Sequence, residues 1–114
     1  MISKVVYRGD LRTEAVHTES EQLIVTDAPK DNQGKGNAFS PTDLVATALA
    51  SCILTIMGIV ARRSELDLDG TYIEVKKKMS SNPRDISQIG LNIYFVTKMN
   101  EEDKIRFERA AKTC

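Results

Sequence analysis

The chain has 114 residues, 16 of them Lys or Arg and 16 Asp or Glu, so its formal net charge is zero. That length gives room for one domain, and 41% hydrophobic with 28% charged residues is a globular composition. Balanced charge excludes the basic excess that draws a protein to nucleic acid or to an acidic membrane surface. Two cysteines and the single histidine, His17, cannot supply the four ligands of a closed structural zinc site within one chain. One histidine also leaves little scope for a Ser-His-Asp hydrolase. The cysteine pair remains.

Met1 to Tyr7 show no basic segment leading into an apolar one, so the expected compartment is the cytoplasm. Thiols there are kept reduced, which reads two distant cysteines as free or redox-active, not as a structural staple. Lys4 to Tyr7, Leu11 to His17 and Leu23 to Thr26 are short β-branched or alternating runs that predict an antiparallel meander. Asp27 to Asn37 is loop chemistry. Its Gly34-Lys35-Gly36 fits neither phosphate-cradling glycine motif and reads as a flexible crossover. Ser40-Pro41-Thr42-Asp43 then offers an N-cap serine, a proline at the first helical position and a carboxylate at the third.

The 18 residues Leu44 to Ala61 carry no charge, and the stretch stops at Arg62-Arg63. That reaches the lower edge of a membrane span, but Thr47, Ser51, Thr55, Gly58 and the alanines dilute the apolarity, and a soluble domain is expected. Leu44, Ala48, Cys52, Ile56 and Val60 form one stripe, and Val45, Leu49, Ile53 and Met57 the next, so the helix should be buried on most sides. A helix from Pro41 to Arg63 is roughly 35 Å long, more than one small chain can wrap. The economical solution is a homodimer in which two such helices pack together under two sheets.

Thr71 to Met79 reads as a strand whose Lys76-Lys77-Lys78 is a solvated face or an edge guard. A turn comes next at Asn82-Pro83-Arg84-Asp85, then an alternating strand from Ile89 to Met99. Asn100-Glu101-Glu102-Asp103 starts an acidic-capped helix running to Cys114, with Glu102/Arg106 and Glu108/Lys112 at i,i+4 spacing.

Cys52 lies about three turns into the long helix. It can be a small core residue or a reactive thiol. A mid-helix apolar setting raises a thiol's pKa, so reactivity requires a nearby cation. Arg8 and Arg12, around the first hairpin, are the candidates.

The run Gly36-Asn37-Ala38-Phe39-Ser40-Pro41-Thr42-Asp43-Leu44-Val45-Ala46-Thr47-Ala48-Leu49-Ala50-Ser51-Cys52 resembles the signature of the OsmC/Ohr family of thiol-dependent peroxidases and their relatives. The element order is similar too, and the resemblance covers essentially the whole chain. It implies an α+β fold, an antiparallel sheet wrapped around a long central helix in an intertwined homodimer with active sites at the interface. It also implies reduction of organic hydroperoxides. Cys52 matches the peroxidatic position, which becomes a sulfenic acid, and Cys114 the resolving position, which closes a disulfide. A lipoyl or other dithiol then acts as reductant, with no metal or flavin. Thr42 stands where the hydroperoxidase branch has glutamate, and Asp43 comes next. The chain therefore resembles the general OsmC-like branch more than the strict hydroperoxide resistance branch. Asp43 is the candidate acid, alongside a capping role, and Arg12 is the nearest match to the branch's arginine. Family members continue past the second cysteine, so residues 1–114 are expected to be a single OsmC-like domain lacking its C-terminal segment. The rival reading is a non-catalytic dimer of the same fold that binds a small apolar ligand. A third makes both cysteines structural.

Overall fold

In the computed structural model, which describes residues 1–114, the N-terminal runs form β1 (Ser3–Gly9), β2 (Arg12–His17) and β3 (Leu23–Asp27), paired antiparallel in that order. The register sets Val5 opposite Ala15 and Ala15 opposite Ile24, and it sets Arg12 opposite Asp27. In the β1–β2 turn, Asp10 and Leu11 both have positive φ, 52° and 61°, the backbone sense that matches the twist of the flanking strands. Leucine rarely adopts it. Two bonds hold it there: the Leu11 N–H donates to the Tyr7 hydroxyl at 3.2 Å, and the Leu11 carbonyl accepts from the Ala28 N–H at 3.1 Å.

Asp27, expected as the first loop residue, is instead the last residue of β3 and is buried. The crossover after it contains one turn of 3-10 helix, Lys30–Asn32. Gly34 passes so close to the Ala28 carbonyl that any Cβ there would collide with backbone.

The chain divides into two compact units, Met1–Leu44 and Val45–Cys114. Helix α1 (Pro41–Arg63) starts in the first and runs through the second. Its start is as the sequence predicts. The Ser40 hydroxyl accepts from the Asp43 N–H at 3.0 Å, and an Asp43 carboxylate oxygen accepts from the Ser40 N–H at 3.2 Å. Two otherwise unpaired amides are thus satisfied reciprocally.

In the second unit α1 is succeeded by the antiparallel pair β4 (Tyr72–Ser80) and β5 (Asp85–Tyr94), and by α2 (Glu101–Ala111). The single expected sheet is therefore present as two separate ladders, of three and two strands. Ile73 opposite Ile93, Val75 opposite Leu91, Lys77 opposite Ile89 and Met79 opposite Ile86 make the better-buried row of the hairpin. The core cluster consists of Ile53, Met57 and Ala61 from α1 and Phe107 from α2, with Leu91, Ile93 and Phe95 packed against it.

Several boundaries and contacts differ from the sequence expectation. The second strand of the hairpin ends at Tyr94, not Met99, because β4 begins at Tyr72, directly opposite, and leaves no ladder partner beyond. Alternate half-burial nevertheless continues through Phe95, Thr97 and Met99, which accounts for the longer reading. A bulge between Lys78 and Met79 puts one extra residue, Ser87, in β5 and keeps Ile86 and Ile89, three apart, on one face. Within the lysine run, Lys76 and Lys78 are exposed, but Lys77 is half-buried in the row of Val75 and Met79. Arg106 pairs with Asp103, at 3.5 Å, and not with Glu102.

The largest difference lies in α1. Only the stripe Ala46, Ala50, Ile53, Met57 and Ala61 is buried within the chain. On the other side Val45 is 56% and Ile59 49% exposed, with Ala48, Cys52 and Thr55 exposed between them. The helix is long and apolar enough to cross a membrane, and its buried stripe supplies the core of the second unit.

Candidate functional site

Cys52 lies on the exposed side of α1, outside the core that the chain builds for itself. It is joined to Cys114 by a disulfide that closes 62 positions of sequence, with the Cα atoms 6.2 Å apart, inside the ordinary disulfide range. The placement of Cys114 derives from α2. Phe107 is buried to 1% exposure against α1, and the Arg106 guanidinium donates to the Ser64 hydroxyl at 2.5 Å. Helix α2 then ends three residues before Cys114, and the N–H of Cys114 still donates to the Ala111 carbonyl at 3.4 Å. Both cysteines are exposed. The field of the α1 N-terminus falls off within its first turn and does not reach Cys52.

The two arginines of the first hairpin are both engaged. Arg8 donates to Glu14 at 3.0 Å on the surface. Arg12 donates through Nε and one Nη to both oxygens of Asp27, at 2.7 and 2.8 Å, the two-pronged geometry in which a guanidinium matches a carboxylate. Asp27 is 2% exposed and also accepts from the Asn37 N–H at 3.2 Å. Its carboxyl is held below the usual range, first by the Arg12 hydrogen bonds, although burial acts the other way; the Arg12 charge, the Asn37 N–H and the Lys35 charge lower it further. The same bonds, and then the Asp27 charge, raise the pKa of Arg12. The Arg12 side chain keeps 41% exposure, and only one edge of its guanidinium is occupied by Asp27.

Asp43 caps the start of α1 through its bond from the Ser40 N–H, and Thr42 brings its hydroxyl to within 3.2 Å of the Ser40 hydroxyl. The Cys52–Cys114 pair is thus brought together in the second unit, whereas Arg12 and Asp43 belong to the first, each with its own partner there. His17 caps its own turn, its Nδ1 accepting the Ser20 N–H at 3.2 Å. No group of three or more His, Cys, Asp and Glu side chains is arranged to hold a metal ion.

Asp27, the partner of the candidate Arg12, is not among the residues that the sequence singles out. It opens a stretch of loop-forming residues, and its partner lies 15 positions away. The only signal is that β2 begins with Arg12 and β3 ends with Asp27, so that an antiparallel register pairs them. Cavities accompany the second unit. One, of about 460 Å³, is lined by Met57, Leu91, Ile93, Phe95 and Phe107, with Tyr94 and Glu108 at its polar side. Another, of about 660 Å³, lies along the last turns of α1 at Thr55, Gly58, Ile59 and Arg62.

Comparison with known proteins supplies the family. Residues 34–114 match the family described as OsmC-like protein. The whole chain is 53% identical to a provisionally named osmotic stress induced and detoxification response protein from Psychrobacter arcticus 273-4, covering 83% of that chain with a TM-score of 0.97. An OsmC-like protein from Mycoplasma pneumoniae aligns over 98% of this chain and 80% of its own, at 21% identity and TM-score 0.76. An organic hydroperoxide resistance protein OsmC from Legionella pneumophila aligns over 100% and 85%, at 17% identity and TM-score 0.71. These last two show likeness of fold. Among curated proteins, comparison of the sequence finds no match. A family match over residues 34–114, together with a relative 53% identical along the entire chain, shows that the protein belongs to the OsmC-like family.

Proposed function

We propose that the protein is a thiol-dependent peroxidase that reduces organic hydroperoxides. The observation that carries this reading is the Cys52–Cys114 disulfide on the exposed side of α1, in a family with members named for organic hydroperoxide resistance. In the proposed cycle the Cys52 thiolate attacks one oxygen of the O–O bond, which breaks. The alkoxide leaves as alcohol after taking a proton, and Cys52 is left as a sulfenic acid. The Cys114 sulfur then attacks the Cys52 sulfur, an S–S bond forms, and the hydroxyl leaves as water with the Cys114 proton. Two thiols have supplied the two electrons. An external dithiol, lipoyl or other, returns the disulfide to thiols by exchange, and the cytoplasm is the compartment that maintains such a pool.

Arg12 is the proposed cation for the Cys52 thiolate, since a guanidinium stays charged at every relevant pH; Asp43 is the proposed acid of the site. The protein acts as a homodimer: the uncovered stripe of Val45, Ala48 and Ile59 supports packing of a second copy on α1. The same apolar helix gives a preference for apolar hydroperoxides.

The Cys→Ser variants test the cycle. Cys52→Ser abolishes hydroperoxide consumption, and Cys114→Ser leaves a sulfenic acid on Cys52 that a dimedone probe captures. Consumption at the wild-type rate by Cys52→Ser would overturn the reading. The cavity lined by Met57, Leu91 and Phe107 favours the second reading, a non-catalytic dimer holding a small apolar ligand. Native mass spectrometry separates the two, because a co-purifying ligand with cysteines inert to hydroperoxide belongs only to the second.

A further inference from the structure

Asp27 has no part in the redox steps of the peroxidase cycle, yet its side chain accepts three hydrogen bonds. Its carboxylate is 2% exposed, both oxygens accept from one edge of Arg12, one of them also accepts from the Asn37 N–H, and its own N–H donates to the Phe39 carbonyl at 3.1 Å. A carboxylate is expensive to bury unless it is paired and hydrogen-bonded. Here every bond it makes goes either to Arg12 or to the crossover that leads into α1. Arginine has a long, rotatable stem, and at 41% side-chain exposure nothing but Asp27 ties its head group in place. The two-pronged bond fixes the plane as well as the position of the guanidinium, which a single hydrogen bond would not. The outer edge, with Nη1, is left for another acceptor.

We propose that Asp27 is a positioning residue: it fixes the Arg12 guanidinium, with its outer edge presented, and ties that orientation to the crossover through Asn37. This rests on the assignment of Arg12 as the cation for the Cys52 thiolate. Thiol ionisation is the step that depends on the cation, so the effect of Asp27 must be greatest where the thiol is not ionised unaided, below the free-cysteine pKa of about 8.5.

The test is the second-order rate of the reduced wild-type, Arg12→Met, Asp27→Asn and Asp27→Glu proteins with tert-butyl hydroperoxide between pH 6 and pH 10. Arg12→Met and Asp27→Asn are each expected to be at least tenfold slower than wild type near neutral pH. Both should converge on it toward the alkaline end, with Asp27→Glu partly restored. A slow Arg12→Met beside a wild-type Asp27→Asn overturns the positioning role and leaves the Arg12 assignment standing. Loss by the same factor at every pH also overturns it, because damage to the fold alone behaves that way. A wild-type rate in Arg12→Met removes the Arg12 assignment and the proposal with it, and a wild-type protein that consumes no hydroperoxide removes the peroxidase reading itself. Should Asp27→Asn fail to fold, Arg12→Lys keeps the charge and loses the two-pronged bond. A rate as slow as that of Arg12→Met supports the proposal, and a wild-type rate overturns it.

Discussion

The Asp27 carboxylate, 2% exposed as a residue, is held by two hydrogen bonds from Arg12 and one from the Asn37 N–H. Composition and periodicity place Asp27 in a loop, because Pro, Lys, Asn and Gly dominate the residues from 28 to 37. Only the strand register, with Arg12 opposite, makes it a buried ion. The capping role of Asp43 is more legible. The capping motif around Ser40 and Asp43 acts within four residues, so sequence spacing contains all of its geometry. The exposure of Cys52 could not be read locally, because apolar residues surround it on α1 and only three-dimensional packing decides which stripe is covered. Asp27 also fixes a pH dependence. Its folded pKa lies below the unfolded value of about 3.9, so its pairing contributes fully above that value and is lost as pH falls through the folded one. Arg12, raised, contributes throughout the accessible range. In urea unfolding, Asp27→Asn should be less stable than wild type near pH 6, and the gap should close as the pH drops below about 4. A gap independent of pH would mean that the ionised pair is not what the carboxylate supplies.

The elements themselves are legible in the sequence wherever one local signal sets both ends. Helix α1 spans Pro41–Arg63, as the capping box and the terminal arginine pair predict. Strand β5 is not, because a ladder ends where its partner ends, and the partner's start at Tyr72 is not marked in the alternation of β5. The Ser87 bulge is invisible for the same reason. Helix α2 has a single buried residue, Phe107, and through it the second cysteine is brought to the first. Phe107→Ala is therefore expected to cost about 3–5 kcal/mol in unfolding free energy and to slow reformation of the Cys52–Cys114 disulfide from the reduced protein. Denaturant unfolding and a thiol-release time course measure the two effects separately. Normal stability, or disulfide closure at the wild-type rate, would contradict this role for α2.

For the molecule as a whole, the sequence predicts a helix apolar nearly all round, and the chain covers only one side of it. Six hydrophobic residues are buried in all. Gly58 sharpens the point: a Cβ there would meet nothing within 4 Å of the same chain, although glycine inside a helix costs about 1 kcal/mol relative to alanine. In the proposed homodimer, close approach of a second copy would account for a glycine at that position. Gly58→Leu should leave the circular dichroism of the helix intact while weakening self-association at least tenfold, as read by sedimentation equilibrium, and unchanged association would count against α1 as the contact. The direct test of the peroxidase reading is to titrate the fully reduced protein with an organic hydroperoxide and count thiols, with peptide mapping of the product. The reading predicts that two thiols disappear for each hydroperoxide reduced to its alcohol, with Cys52 and Cys114 recovered as one disulfide. Thiols that persist in the presence of excess hydroperoxide would contradict it.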